Sequence, residues 1–166
     1  MLLFFSVFMF SCIVDEEEPV EGNELVVGDR IPFFSVVMNN GEKIGNEDLK
    51  GKISLIVFFN TACKDCQQEL PIVQRFYESY AQYPLLCISR EEGASSVAEY
   101  WKHASFTMPY SAQDNRTVYQ LFARQVIPRI YIIDKEGLIR YIFTDNPLAT
   151  YTDLVHAVDR LETDDE

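Results

Sequence analysis

Two short apolar runs in the middle of the chain dominate its hydrophobic pattern. Residues 53–59 read Ile-Ser-Leu-Ile-Val-Phe-Phe, and residues 85–89 read Leu-Leu-Cys-Ile-Ser. Short runs of this composition predict central strands that are covered on both faces of a sheet. Between them, apolar residues recur at helical spacing at Leu70, Val73, Phe76, Tyr77 and Tyr80. This spacing predicts a helix that begins near Cys63 and contains Pro71, which should kink the helix axis.

Weaker patterns on either side predict the other elements. Further strands are predicted at residues 25–27, 33–38, 42–44, 130–133 and 138–143. Further helices are predicted at residues 95–103, 117–123 and 154–161. Turn residues at positions 39–41 and 134–137 should close two antiparallel hairpins. The order of elements indicates an α/β fold in which a mixed β-sheet has helices on both faces, with a β-hairpin near the N-terminal end.

Acidic residues are concentrated at the two ends of the chain. The formal net charge of the 166 residues is −12. Six acids lie between residues 15 and 24 and four between 162 and 166, and neither stretch contains Lys or Arg. Residues 25–161 hold the other 16 acids and all 14 basic residues, so this part is close to neutral. We therefore expect one domain over residues 25–161, an acidic tether at 13–24, an acidic tail at 162–166, and no nucleic-acid partner.

The first twelve residues form an apolar run that ends at Ser11-Cys12. The run is too short to span a bilayer as a mature helix, but it has the length of the apolar core of an export signal. Bulky apolar residues followed by Ser-Cys resemble the lipobox of bacterial lipoproteins, which implies a signal peptide over residues 1–12 and lipid modification of Cys12. A simple secretory signal and a mis-assigned start are the alternatives.

The lipobox resemblance implies a location as well as an anchor. It predicts a protein that is held to the membrane of the bacterial cell envelope by lipid. The acidic run at residues 15–18 is similar to the signal that sends some lipoproteins to the cell surface. Both the periplasmic face and the cell surface are therefore open, and the alternative for the acidic run is a soluble tether.

Cys63 and Cys66 form a C-x-x-C pair directly after the first central strand. Open α/β sheets place active sites where a strand ends and a helix begins. The unpaired N–H groups and the dipole of a helix N-terminus favour negative charge, so we expect Cys63 to supply a nucleophilic thiolate. Cys66 lies one turn deeper, where it can attack a mixed disulfide on Cys63 and release the product.

The cysteine pair has two other interpretations besides thiol-disulfide exchange, a metal site and a structural disulfide. Structural zinc sites take four ligands, whereas Cys12 lies in the leader, Cys87 sits in an apolar strand, and neither histidine has ligand-like spacing. The sequence therefore predicts no metal and no other cofactor. A structural disulfide between residues three positions apart would remove little entropy from the unfolded chain, so it explains little about why the pair exists. Cys87 is expected in the core, because free cysteine is among the most buried residue types.

Several stretches together resemble a known family. They are residues 27–33, Gly51-Lys52, Phe58-Phe59, residues 63–71, and residues 126–134 with their Ile127-Pro128 pair. They are similar to the extracytoplasmic thioredoxin-like thiol-disulfide oxidoreductases of the TlpA/ResA-like group. The resemblance covers about residues 25–161 and implies a thioredoxin-like fold.

The resemblance assigns roles to four residues. It implies that Cys63 is the attacking thiol and Cys66 the resolving thiol. Pro128 would be a cis-proline that packs beside the disulfide and presents backbone to a substrate, although most X-Pro bonds are trans. Glu69 would stand close to the cysteines and help to handle protons, the alternative being a solvated helix residue.

The chain also departs from the family pattern. Ala62 replaces the tryptophan that commonly precedes the first cysteine, and Lys64-Asp65 replaces small or proline residues between the cysteines, so the redox potential does not carry over. Val57 stands where thioredoxin itself keeps a buried acid, which leaves Glu69 as the proton partner. Arg129 is expected either to steer acidic partners or to be a plain surface arginine.

The resulting hypothesis is an exported enzyme that exchanges protein disulfides through Cys63 and Cys66, in the first place as a reductase, with oxidation or isomerisation of disulfides as the alternatives. Its partners would be protein thiol and disulfide substrates and an upstream electron donor. A peroxiredoxin-like peroxidase is one alternative, because Thr61 precedes Cys63 by two residues, although the proline of that family's motif is absent. A redox-inactive surface lipoprotein that keeps the fold as a binding module is the other.

Overall fold

The computed structural model describes residues 24–163 of the chain. The predicted signal segment with Cys12, nearly all of the acidic tether and the last three residues of the tail lie outside the described residues. Within residues 24–163, no helix is long and apolar enough to cross a membrane.

The described residues form a mixed five-stranded sheet, a small hairpin and four helices. The hairpin strands are β1 (Ser35–Val37) and β2 (Lys43–Gly45), and the sheet strands are β3 (Ser54–Phe59), β4 (Leu85–Ser89), β5 (Tyr110–Ser111), β6 (Arg129–Ile133) and β7 (Ile139–Phe143). The helices are α1 (Lys64–Ser79), α2 (Ala94–Ala104), α3 (Thr117–Gln120) and α4 (Tyr151–Thr163), with a 3-10 turn at Asn46–Leu49.

The sheet has the strand order β5-β4-β3-β6-β7. Strand β3 runs parallel to β4 and antiparallel to β6, and β7 continues the antiparallel half. Every residue of β3, β4 and β6 is buried, so both faces of the sheet centre are covered. The predicted mixed α/β architecture, its two central strands and its N-terminal hairpin are therefore confirmed.

An aromatic cluster fills the core beneath the start of β6. Phe58 packs edge-on against Tyr119 and Tyr131, with ring centroids 5.3 and 6.2 Å apart, and Phe122 packs against Phe58 and Tyr131. Aromatic pairs at such distances add to the stabilisation from burial alone. Tyr119 and Tyr131 belong to this cluster but carry hydroxyl groups that need hydrogen-bond partners.

One predicted strand is absent, and one predicted helix is present but shorter than expected. Leu25–Val27 is an irregular segment, because Asp29 accepts a 2.8 Å hydrogen bond from the Val26 N–H and Gly28 turns the chain with φ +99°. Turn chemistry thus overrides the strand propensity of the valines, both of which are exposed. The predicted helix at 117–123 is a single turn that ends after Gln120.

Candidate active site

Cys63 lies at the junction of β3 and α1, where the main-chain direction changes. It is the N-cap residue of α1, with extended backbone, and the Cys66 N–H points at its Sγ at 3.4 Å. Cys63 is half-buried, whereas Cys66 is fully buried one turn along the helix. A helix N-terminus stabilises negative charge, and here the N–H group of Cys66 in the first turn faces the Cys63 sulfur. Both thiols are unbonded, so the structure describes the dithiol form.

Burial suppresses ionisation of Cys66. Removal from solvent raises the pKa of the Cys66 thiol, the hydrogen bond with Cys63 raises it further, and the backbone of Asn60 opposes the shift. The charge of Glu69 is a smaller cause in the same direction. Cys66 therefore needs a proton acceptor before it can act as a nucleophile.

Pro128 lies beside the cysteine pair. The Ile127–Pro128 peptide bond is cis, as the resemblance implied. The Ile127 carbonyl oxygen accepts a hydrogen bond from the Cys63 thiol, with 3.6 Å between sulfur and oxygen. Residues 64 positions apart are thus brought together at the end of β3.

Glu69 is a buried carboxyl group on the inner face of α1. It is 1% exposed, so the alternative of a solvated helix residue is wrong. Its Oε1 accepts a 2.9 Å hydrogen bond from the Ala149 N–H, while its Oε2 is buried without a hydrogen-bond partner. Burial raises the pKa of Glu69 to about 7, against the opposing effect of the Ala149 hydrogen bond. A group that titrates near neutral pH is suited to accept and return protons.

The loop ahead of Cys63 is held by a residue that sequence reasoning missed. The Glu92 carboxylate accepts a 2.7 Å hydrogen bond from the Thr61 N–H and another from the Thr61 hydroxyl. Gln67 then donates to the Thr61 carbonyl at 2.8 Å, which ties the loop to α1. The parallel pairing of β3 with β4 is the signal that could have indicated Glu92, because carboxyl ends of neighbouring parallel strands meet at one edge.

Three other sequence expectations meet different outcomes. Cys87 is fully buried in β4 with its sulfur 3.7 Å from that of Met108, so its assignment to the core is confirmed, and burial raises its pKa. Val57 is buried in β3 between Cys87 and Ile130. The expectation of a surface Arg129 is wrong, since the residue is 4% exposed and its guanidinium pairs with Glu24.

The described residues offer little to a metal ion. Among residues 24–163, no three His, Cys, Asp or Glu side chains lie close enough together to form a ligand group. The groups described around the cysteine pair are two thiols, the buried Glu69 carboxyl group and the Ile127 carbonyl.

Comparisons with known proteins place this geometry in a family. A model of the AhpC/TSA family matches residues 27–142. The thiol-disulfide oxidoreductase ResA of Bacillus cereus is 25% identical over 118 residues, covering 70% of this chain and 68% of that protein. The thioredoxin-like protein YneN of Bacillus subtilis is 29% identical over 119 residues, covering 69% of each chain.

Solved structures agree on the fold. The crystal structure of a thiol:disulfide interchange protein of the thioredoxin family from Chlorobium tepidum superposes with a TM-score of 0.70 at 22% identity, covering 82% of this chain and 97% of that one. The fold is therefore thioredoxin-like. Because the family model spans well over half of the chain, the chain belongs to the AhpC/TSA family.

Proposed function

We propose that the protein is a thiol-disulfide oxidoreductase that reduces disulfides of client proteins through Cys63 and Cys66. One observation carries the proposal: the half-buried sulfur of Cys63 caps a helix N-terminus and lies 3.4 Å from the backbone nitrogen of its buried partner cysteine. Cys63 is half-buried and Cys66 is fully buried, which supports Cys63 as the first nucleophile. The named oxidoreductase relatives support the same activity.

The exchange proceeds in two steps. The Cys63 thiolate attacks one sulfur of a client disulfide, so a mixed disulfide forms and the first client thiolate leaves. The Cys66 sulfur then attacks Cys63, which forms the Cys63–Cys66 disulfide and releases the second client thiolate. The client gains two electrons and the protein loses two. An upstream thiol donor returns them by the reverse exchange.

Glu69 handles the proton of the second step. Cys66 is a poor nucleophile while protonated, and its pKa is raised by burial. The unpartnered Oε2 of Glu69 and a pKa of about 7 make this carboxylate the proton acceptor for Cys66. The Ile127 carbonyl contacts the Cys63 sulfur, which supports a role for the Ile127–Pro128 backbone in presenting main chain to the client.

Replacement of Cys63 tests the activity directly. Cys63→Ser should abolish disulfide reduction in a turnover assay, because oxygen cannot form the mixed disulfide. Cys66→Ser should instead accumulate covalent adducts on Cys63, and mass spectrometry of these adducts identifies the clients. Cys87→Ser is the matched control and should retain turnover. Undiminished turnover in Cys63→Ser would overturn the assignment.

A peroxidase is the second candidate. Thr61 stands two residues before Cys63, a spacing that resembles the peroxiredoxin motif, and its hydroxyl is bound to Glu92. The measurement is the rate at which the reduced protein consumes hydrogen peroxide. Consumption much faster than by free cysteine favours the peroxidase. A Cys63–Cys66 pair that resists reduction favours a binding module over both enzymes.

The cellular location is a separate part of the proposal. We infer a lipid anchor at Cys12 and a location in the bacterial cell envelope from the Ser11-Cys12 sequence and the acidic run behind it. Mass spectrometry of the N-terminal peptide from the native source checks the anchor. A mature chain that begins elsewhere, without lipid on Cys12, contradicts it.

A further inference from the structure

Val126 has an unusual backbone conformation next to the exchange site. Its φ is +70°, in the left-handed region that β-branched residues rarely enter. Its side chain is 37% exposed, so side-chain packing does not account for the conformation. Such a conformation persists only where the surrounding contacts fix the backbone.

Tyr119 supplies those contacts from the core. Its ring is buried, 1% exposed, in the aromatic cluster beneath β6. Its hydroxyl lies within hydrogen-bond distance of two successive carbonyl oxygens, those of Gln125 and Val126, the latter at 2.8 Å. Arg129 also approaches the Gln125 carbonyl at 3.4 Å. The Tyr119 hydroxyl and the Arg129 guanidinium thus hold the two peptide groups on either side of the Val126 α-carbon.

The next carbonyl along the chain is the one that contacts Cys63. The Ile127 oxygen lies 3.6 Å from the Cys63 sulfur and accepts a hydrogen bond from the Cys63 thiol. Only the dithiol form has the thiol proton, because a disulfide sulfur carries none. The contact therefore favours the dithiol over the disulfide wherever the 125–127 backbone is held in place.

We propose that Tyr119 is a positioning residue of the exchange site, which holds the Gln125 and Val126 carbonyls, keeps the Ile127 carbonyl against Cys63, and so shifts the Cys63–Cys66 couple toward the dithiol. The inference rests on the proposed exchange function. The Tyr119 hydroxyl would thus influence the dithiol–disulfide equilibrium through the backbone carbonyls that it contacts.

Equilibration of the full chain with glutathione at pH 7 tests the proposal. In this reaction the Cys63–Cys66 bond forms, the S–S bond of oxidised glutathione breaks, and the two thiol protons end on two glutathione molecules. Tyr119→Phe should shift the equilibrium constant toward the protein disulfide by about two- to tenfold, the range for one modest hydrogen bond. Peptide mapping after alkylation separates this pair from the other cysteines.

Tyr131→Phe is the matched control. Tyr131 is equally buried in the same cluster, but its hydroxyl donates to the Phe122 carbonyl at 3.0 Å and accepts from Arg129 at 3.5 Å, through a different guanidinium nitrogen from the one that approaches the Gln125 carbonyl. This variant should lose stability as Tyr119→Phe does and keep the parental equilibrium. An equal shift in both variants, or no shift in Tyr119→Phe, would overturn the proposal.

Relief of the backbone requirement provides a second test. Glycine adopts positive φ without steric cost, so Val126→Gly in the Tyr119→Phe background should return the equilibrium toward the parental value.

In the parental protein, the Tyr119 hydroxyl proton should give a slowly exchanging NMR resonance, and a rapidly exchanging one contradicts the proposal. If the parental pair never equilibrates with glutathione, the exchange function itself fails and this inference fails with it. A reversible parental couple with an unshifted Tyr119→Phe rejects the inference alone.

Discussion

Glu69 shows how one residue links stability to chemistry. Its carboxyl group is 1% exposed, it keeps one hydrogen bond to the Ala149 N–H, and one oxygen has no partner. Burial of an ionisable group disfavours its charged form, which here raises the pKa from 4.5 to about 7. Since an apolar residue would pack there without this penalty, the buried acid fits the proposed role in proton transfer better than a packing role.

The raised pKa of Glu69 predicts a specific pH dependence of stability. The native state binds the proton more tightly than the unfolded state, so this contribution is fully present below about pH 4.5 and is lost as pH rises through about 7. Glu69→Gln cannot ionise, and its free energy of unfolding should exceed that of the parental protein by about 3 kcal/mol at pH 8 and by little at pH 4.5. Urea unfolding under reducing conditions at the two pH values measures the difference.

Exchange kinetics of the same variant separate the two roles of the acid. Glu69→Gln should resolve the mixed disulfide more slowly, because no carboxylate accepts the Cys66 proton. Glu78→Gln, on the exposed face of the same helix, is the control and should change neither the pH dependence nor the rate. A parental stability curve that is flat between pH 4.5 and 8 would contradict the assigned pKa.

At the scale of elements, the site is made where two parallel strands end side by side. Strand β3 leads to Cys63 and β4 leads to Glu92, and the paired ends allow the Glu92 carboxylate to hold the Thr61 backbone at 2.7 Å. A buried or half-buried N–H group that loses its hydrogen-bond acceptor destabilises the fold by more than the hydrogen bond had stabilised it. The loop that presents Cys63 therefore depends on a side chain from the neighbouring connection.

Removal of the Glu92 carboxylate should loosen this loop. Glu92→Ala leaves the Thr61 N–H and hydroxyl without their acceptor, so we expect a loss of about 1–3 kcal/mol in the free energy of unfolding and slower attack by Cys63. Glu91→Ala removes the same charge one residue earlier, where the carboxylate pairs with Arg116 at the surface, and should cost at most about 1 kcal/mol. Equal effects of the two substitutions would contradict the role of Glu92.

The elements that were predicted correctly have strong local signals. The runs that became β3 and β4 are apolar except for one serine each, and the spacing of apolar residues after Cys66 is that of a helix. By contrast, the Glu92 and Tyr119 contacts join residues far apart in sequence or depend on a single hydroxyl, for which periodicity carries no signal. Resemblance supplied Pro128, whereas the positive φ of Val126 follows from tertiary contacts that no local pattern records.

At the scale of the whole molecule, most of the net negative charge is separated along the chain from the described domain. All 14 basic residues and 18 of the 26 acidic residues lie within residues 24–163, so five acids before this range and three after it carry most of the net charge of −12. The ion pairs in the described region include Arg129 with Glu24 and Arg116 with Glu91.

A chain trimmed to residues 24–163 tests this separation. It keeps Glu24, the partner of Arg129, and should retain its unfolding midpoint in urea and its rate of disulfide exchange. Its electrophoretic mobility should fall with the lost charge. A chain trimmed to residues 30–163 is the comparison: it loses the Glu24 pair and the Leu25 N–H bond to the Phe122 carbonyl, and should unfold at lower urea. Destabilisation by the shorter trim would show that the acidic ends contribute to folding.

The 2.9 Å hydrogen bond from the Ala149 N–H to Glu69 joins the C-terminal part of the domain to the helix that carries the cysteine pair. Ala149 lies immediately before the last helix, 80 residues after the carboxyl group that it holds. During synthesis, a chain that has emerged only as far as β7 already contains both thiols but lacks the group that orients their proton acceptor. Full turnover should therefore be acquired late, when the closing helix docks, because until then the resolving step by Cys66 lacks its oriented proton acceptor.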